Sequence, residues 1–281
     1  MLELPEVEVL RKDIEKEIVG KRIRDVQVET ASIVRPFHRT RPQFVEALEG
    51  RKIVGVRRRG AVLFLDLDEG MTWVIDPGDR GTLHRETATA GPGPDTHLAV
   101  SFTIGGAIHL TDTDSDPTSR TGVVPTEEAL HAAGIVEEAL DPFEDNPTWM
   151  EFGHLLRQAA IPLKQLLTDK RLMLGIGPVY SDEVLWEAGL RFDRSSETLS
   201  TQEVRRLYRA LHEVLAAAIK HRGSSLDESQ PEEVLDEEGE VQEHIRVYGR
   251  EGAPCFRCRQ TIVKERVKTR VFTYYCEQCQ I

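Results

Sequence analysis

The chain has 281 residues, of which 40% are hydrophobic and 30% charged, and its formal net charge is −12. That length can build two cored modules and gives no reason for a third. No stretch approaches the roughly 18 apolar residues of a membrane span, and the opening alternates charge with aliphatics instead of forming a signal-peptide core, so a cytoplasmic protein without a membrane partner is expected. The acidity is poorly matched to a polyphosphate ligand.

Residues 5–20 have the spacing of an amphipathic helix, with Val7, Leu10, Ile14 and Ile18 on one face and Gly20 as its stop. Strand-like runs follow at 23–28, 53–57, 61–67, 73–75, 98–104 and 107–110. Many short strands punctuated by Gly and Pro predict a β-sandwich. Two stretches rich in turn residues, 87–96 and 111–125, are expected as exposed loops. Pro142, Pro147 and the acidic run 137–145 set a module boundary near residue 145, and helices are expected beyond it at 149–160, 162–168, 179–188 and 201–220. Residues 227–243 then hold nine carboxylates and no Lys or Arg, the pattern of a solvated loop. The segment 244–281 reverses the sign, with eight Lys or Arg against three Glu.

All four cysteines fall in two Cys-x2-Cys pairs, Cys255/Cys258 and Cys276/Cys279, separated by 17 residues. This spacing matches one tetrahedral four-cysteine zinc site, structural because no ligand position stays open. No disulfide scaffold is needed, and a reducing compartment fits. Residues 261–267 and 270–275 supply two strands of a hairpin between the pairs. Upstream, Gly175 and Gly177 precede a helical run, an arrangement that can present backbone N–H groups to a phosphate. Pro178 suits the first turn of that helix but removes one N–H. Glu3 stands in the first turn of the opening helix, where an acid is also good N-terminal chemistry.

The opening Met1-Leu2-Glu3-Leu4-Pro5-Glu6-Val7-Glu8, the stretch from Lys164 through Gly175-Ile-Gly177-Pro178-Val-Tyr180-Ser181-Asp-Glu183, and the terminal cysteines together resemble the formamidopyrimidine and endonuclease VIII family of DNA glycosylases. The resemblance covers residues 2–83 and 150–281 and is poorer between them. It implies an α+β multidomain fold: an N-terminal β-sandwich with flanking helices over 1–145, a helix-two-turn-helix domain over 146–243 that includes the acidic loop, and a zinc-finger hairpin over 244–281. It also implies base-excision chemistry, in which an N-terminal proline nitrogen attacks C1′ of the damaged nucleotide and the next residue, a glutamate, assists proton transfer. Lys164, Gly175, Gly177 and Arg270 are the implied nucleic-acid contacts, although Arg270 sits one residue farther from Cys276 than in the usual pattern.

The departures cluster on function. Leu2 occupies the proline position, and because aminopeptidases spare Met before a bulky residue, Met1 is expected to remain, displacing the free amine by one residue. Glu3, the counterpart of the catalytic carboxylate, is kept. Ala61 stands where the family carries a DNA-contacting lysine, Asp79 where many members carry a methionine wedge, Thr121 where a wedge phenylalanine is usual, and Pro178 where an asparagine reaches the backbone. Base flipping costs a few kcal/mol that wedges and phosphate clamps offset, and an aspartate pushed into a base stack would add desolvation and repulsion.

The leading expectation is a member that has lost bifunctional glycosylase/AP lyase activity and binds a nucleic acid or a protein. The rival is a working glycosylase on oxidised bases, acting by hydrolysis through Glu3 or through another amine. A third is an enzyme with a repurposed interdomain cleft.

Overall fold

Helix α1 (Leu4–Ile18) buries Val7, Ile14 and Ile18 on one face, as their spacing requires. The structure, a computed structural model, describes residues 2–78, 80–86, 91–113, 116–221, 245–268 and 271–281. They form two units: Met1–Leu2 with Val7–Glu137, and Glu3–Glu6 with Glu138–Ile281. The sequence places a boundary near residue 145; the two units divide between Glu137 and Glu138, and the cysteine-rich segment is part of the second.

The first unit holds β1 (Ile23–Val28), α2 (Arg41–Leu48), β2 (Ile53–Arg59), β3 (Val62–Leu67), β4 (Met71–Asp76), β5 (Thr82–Glu86), β6 (Thr96–Phe102), β7 (Ala107–Thr111), β8 (Arg120–Pro125) and the short α3 (Ala129–Ala132). Two four-stranded sheets result, ordered β1-β6-β7-β5 and β2-β3-β4-β8, with every pairing antiparallel. Alternate residues of both, among them Val26, Val100 and Leu110 from one sheet and Leu65, Trp73 and Ile75 from the other, share a single apolar core. That is the expected sandwich. Behind α1, the Glu8 carboxylate takes the Arg58 Nε–H at 2.9 Å in a fully buried ion pair that ties the helix to β2.

The stretch 111–125 is not loop throughout. Its last six residues are β8, paired along its whole length with β4. Gly122, which reads as a turn signal, is there because a Cβ would lie 2.1 Å from the Phe37 Cβ. Strand β5 and helix α2 also lie outside the sequence expectation. The first is an edge strand of mostly exposed residues, and the second starts at a Thr40 cap with Pro in its first turn.

The second unit is helical: α4 (Trp149–Ala159), α5 (Leu163–Thr168), α6 (Pro178–Ala188) and α7 (Thr201–Lys220), followed by the hairpin β9 (Val263–Lys268) and β10 (Val271–Tyr275). Capping boxes at Thr148/Glu151 and Ser200/Glu203 fix the starts of α4 and α7. Helix α6 is buried on nearly every side, including Ser181, Asp182 and Glu183. Charged groups so placed must find partners inside the fold. No described helix is long and apolar enough to cross a membrane.

Candidate functional site

Helix α6 opens without a side-chain cap of its own, because its N-cap is Gly177 and its first residue is Pro178. Glu3 caps it instead. Its carboxylate, 2% exposed, accepts the backbone N–H of Gly177 at 2.6 Å, of Val179 at 2.8 Å and of Tyr180 at 3.3 Å. The helix dipole favours an anion at this place. The fit requires glycine, since a Cβ on residue 177 would lie 2.6 Å from the Glu3 Cδ. Gly175, at φ +76°, turns its carbonyl to the Leu4 N–H at 2.7 Å and so holds the N-terminal segment in register. Glu6 completes the group, receiving the Tyr180 hydroxyl at 2.5 Å and the Glu3 N–H at 3.1 Å.

Burial pushes the Glu3 carboxyl up to about 8, with the nearby Glu6 charge adding to the rise and the three amides opposing it. At neutral pH it therefore holds a proton. Chemically, this is an enclosed carboxyl group able to give a proton, set among fixed backbone dipoles. Leu2, the preceding residue, packs half-buried against the sandwich core of the first unit.

Two of the expected phosphate contacts, Gly177 and Lys164, have partners inside the fold. The N–H of Gly177 and those of the first turn of α6 point at Glu3, so this helix start is already occupied by an internal carboxyl group. Lys164 is 2% exposed, and its ammonium bonds Asp182 Oδ1 at 2.6 Å and the Pro178 carbonyl at 2.8 Å. It is an internal cation and cannot reach a backbone phosphate without leaving that pair.

Asp182 and Glu183 escaped the sequence reading as partners, although two acids amid the apolar run Val179 to Trp186 were the available signal. Asp182 also receives the Thr273 hydroxyl at 2.5 Å and the Tyr274 N–H at 2.8 Å, fastening β10 to α6. Burial raises its carboxyl, against the pull of Lys164. Glu183 accepts the N–H groups of Arg246, Val247 and Tyr248 at 2.8, 2.9 and 2.9 Å, and burial pushes it to about 7.

Ala61 lies half-buried against the first unit's core. Thr121 is wholly buried in β8, its hydroxyl receiving the Trp73 Nε1–H at 2.8 Å and donating to the Val74 carbonyl at 2.9 Å. The position is therefore an interior sheet position set by Trp73 and presents no wedge to a ligand. Its neighbour Arg120 pairs with Asp76 at 2.6 Å. Asp79, Arg270 and the acidic segment 227–243 lie outside the described residues.

The four cysteine sulfurs all lie within 4.8 Å of one another, with Cys255–Cys279 at 3.9 Å and Cys258–Cys276 at 3.4 Å. A tetrahedral zinc with Zn–S bonds of about 2.3 Å sets its sulfurs roughly 3.8 Å apart, so the cluster fits one zinc ion. Tight knuckles shape it: the Arg259 N–H returns to the Cys255 carbonyl at 2.9 Å with Arg259 at φ +67°, and the Gln280 N–H returns to the Cys276 carbonyl at 3.0 Å. Four thiolates close the coordination shell, which makes the metal structural.

Residues 1–115 match the family model of the formamidopyrimidine-DNA glycosylase N-terminal domain, and residues 139–230 that of the formamidopyrimidine-DNA glycosylase H2TH domain. The formamidopyrimidine-DNA glycosylase of Desulfitobacterium hafniense is 31% identical over 281 residues, with both chains fully covered. That of Enterococcus faecalis is 34% identical, covering 100% of this chain and 97% of the relative. Among solved structures, Lactococcus lactis Fpg in complex with DNA containing an abasic site superposes with a TM-score of 0.86 at 27% identity over 99% of each chain. The same enzyme with DNA containing Fapy-dG gives 0.85 at 28% identity, again over 99% of each chain.

Proposed function

Because the chain belongs to the formamidopyrimidine-DNA glycosylase family, we propose that it is a zinc-bearing, DNA-binding member lacking the amine-dependent lyase step. Position 2 carries this reading. Leu2 supplies hydrocarbon, half-buried against the first unit's core, at the place the family fills with a proline nitrogen. Ala61, packed against the same core, supplies no ammonium where a lysine is usual. The solved relatives bound to abasic-site and Fapy-dG DNA support duplex DNA as the ligand.

One observation favours a second reading. A carboxyl held near 8 keeps its proton at neutral pH, which a general acid acting on a departing base requires. Glu3 would then serve a hydrolytic glycosylase, with water as nucleophile and no covalent intermediate.

A single experiment separates the two. Duplexes carrying an abasic site or an oxidised purine are incubated with the protein, with and without borohydride. Binding without a trapped adduct, strand cleavage or base release is expected. An adduct mapped to the N-terminal segment would overturn the proposal. Base release without an adduct, abolished by Glu3→Gln, would select the second reading.

A further inference from the structure

Trp186, in the last turn of α6, is 4% exposed and lies in a small cluster with Cys255, Cys276, Val247 and Ile262. The Arg257 guanidinium carbon stands 3.9 Å from its ring centre. The same arginine donates to the carbonyls of Trp186 at 2.6 Å and Glu187 at 3.2 Å, and pairs with the Glu187 carboxylate at 2.8 Å. Arg257 lies between Cys255 and Cys258, so the first knuckle is clamped onto the C-terminal end of α6, where a cation also meets the negative end of the helix dipole. An indole covered in this way has little freedom to turn.

The Trp186 Nε1–H is buried and finds no oxygen or nitrogen acceptor among the described residues. A buried donor left unmade is destabilising, and the buried Trp73 indole obeys that rule by giving its N–H to the Thr121 hydroxyl at 2.8 Å. At Trp186 the neighbouring acceptor is sulfur. Burial opposes ionisation of Cys255, whereas the backbone N–H groups of Cys258 and Arg257 and the Trp186 indole favour it. A neutral thiol accepts a hydrogen bond weakly, but a thiolate, the form that binds zinc, carries the charge that makes such a bond strong.

We propose that Trp186 is a positioning residue of the zinc site, its Nε1–H donating to the Cys255 thiolate. The bond orients the sulfur and withdraws charge from it, so that α6 holds the metal through its ligand. The inference rests on the zinc reading of the four cysteines and adds a donor from outside the segment that carries them.

Full-length, isotope-labelled protein is loaded with spin-active cadmium in place of zinc and followed by nuclear magnetic resonance. A proton in an N–H···S–Cd bond couples to the metal nucleus, and the Cys258 and Arg257 amides, which bond the same sulfur, calibrate that coupling. The Trp186 indole proton is expected to show it, assigned by its disappearance in Trp186→Phe, which keeps an aromatic ring beneath Arg257. That variant should lose zinc affinity by about tenfold in competition with a chromophoric chelator. In its cobalt form the sulfur-to-metal charge-transfer band should move to lower energy while the d–d bands, which report the tetrahedral geometry, stay in place; lost packing alone does not produce this pattern. Amide coupling without indole coupling, or an unmoved charge-transfer band in Trp186→Phe, would overturn the assignment and leave the zinc site standing. Absence of metal coupling at the amides as well would sink the zinc reading with it.

Discussion

The Glu3 carboxylate and the Gly177 N–H, 174 positions apart in sequence, meet at 2.6 Å. A side chain at one end of the chain thus supplies the cap that the sequence around α6 omits, and the glycine is the residue that leaves room for it.

The pH dependence of stability follows from this cap. With the carboxyl near 8 when folded and near 4.5 when unfolded, the folded state binds more protons between those values, so this group's contribution is present below about 4.5 and is lost as pH rises through about 8. Glu183, raised to about 7 by burial, adds a loss of the same sign. Urea unfolding at several pH values should show the wild-type advantage over Glu3→Gln shrinking from pH 5 to pH 8. An advantage that grows across that window would refute the assignment.

Gly177→Ala places a methyl 2.6 Å from the Glu3 Cδ. Overpacking of this kind costs about 1–3 kcal/mol, to be read from the denaturation midpoint. A neutral result would mean that the cap yields easily.

Lys164→Met separates an internal cation from a phosphate ligand. Removing it leaves Asp182 buried without its partner ammonium, at a cost of about 3–5 kcal/mol. The salt dependence of duplex binding should keep its slope, whereas loss of one phosphate contact would lower that slope by roughly one unit. A lowered slope in a stably folded variant would return Lys164 to the DNA interface.

Elemental analysis should find one zinc per chain. Its removal, or Cys276→Ser, should expose the amides of 255–281 to hydrogen exchange, because so small a segment has little core without the metal. Unchanged protection after chelation would contradict the site.

Neutralising the nine carboxylates of 227–243 should tighten duplex binding without adding any preference for damaged bases, because the change alters the field and leaves contacts to the base untouched. Selective binding of a lesion by the unaltered chain would argue against the proposed loss of function.

The sandwich, the four main helices and the zinc ligands were legible because each is written locally, in alternation, in a 3.6-residue period or in Cys-x2-Cys spacing. Strand β8 was hidden by Gly122 and Pro125, which serve packing against Phe37 and the strand end instead of a turn. The site was legible as residue types but not as contacts. Glu3 could be named from its neighbours, whereas its partnership with Gly177, like that of Lys164 with Asp182, joins positions whose separation carries no period. Gly175 and Gly177 are expected from the sequence as phosphate contacts; in the structure the group that meets the Gly177 N–H is the carboxyl of Glu3, from the chain itself.

Synthesis proceeds in one direction, and α6 is built from both sides of it. Glu3 leaves the ribosome 174 residues before its partner at Gly177; at the usual 5–20 residues per second that is a wait of roughly 10–35 s. Asp182 then waits for Thr273, 91 residues later. The contacts that clasp α6, to Glu3 and to β10, are consequently made only after strands β1–β8 have been synthesised. A nascent chain stalled before residue 177 should therefore expose Glu3–Glu6 to protease while protecting β1–β8, and a truncation that removes β10 should leave Asp182 and α6 without their final clasp.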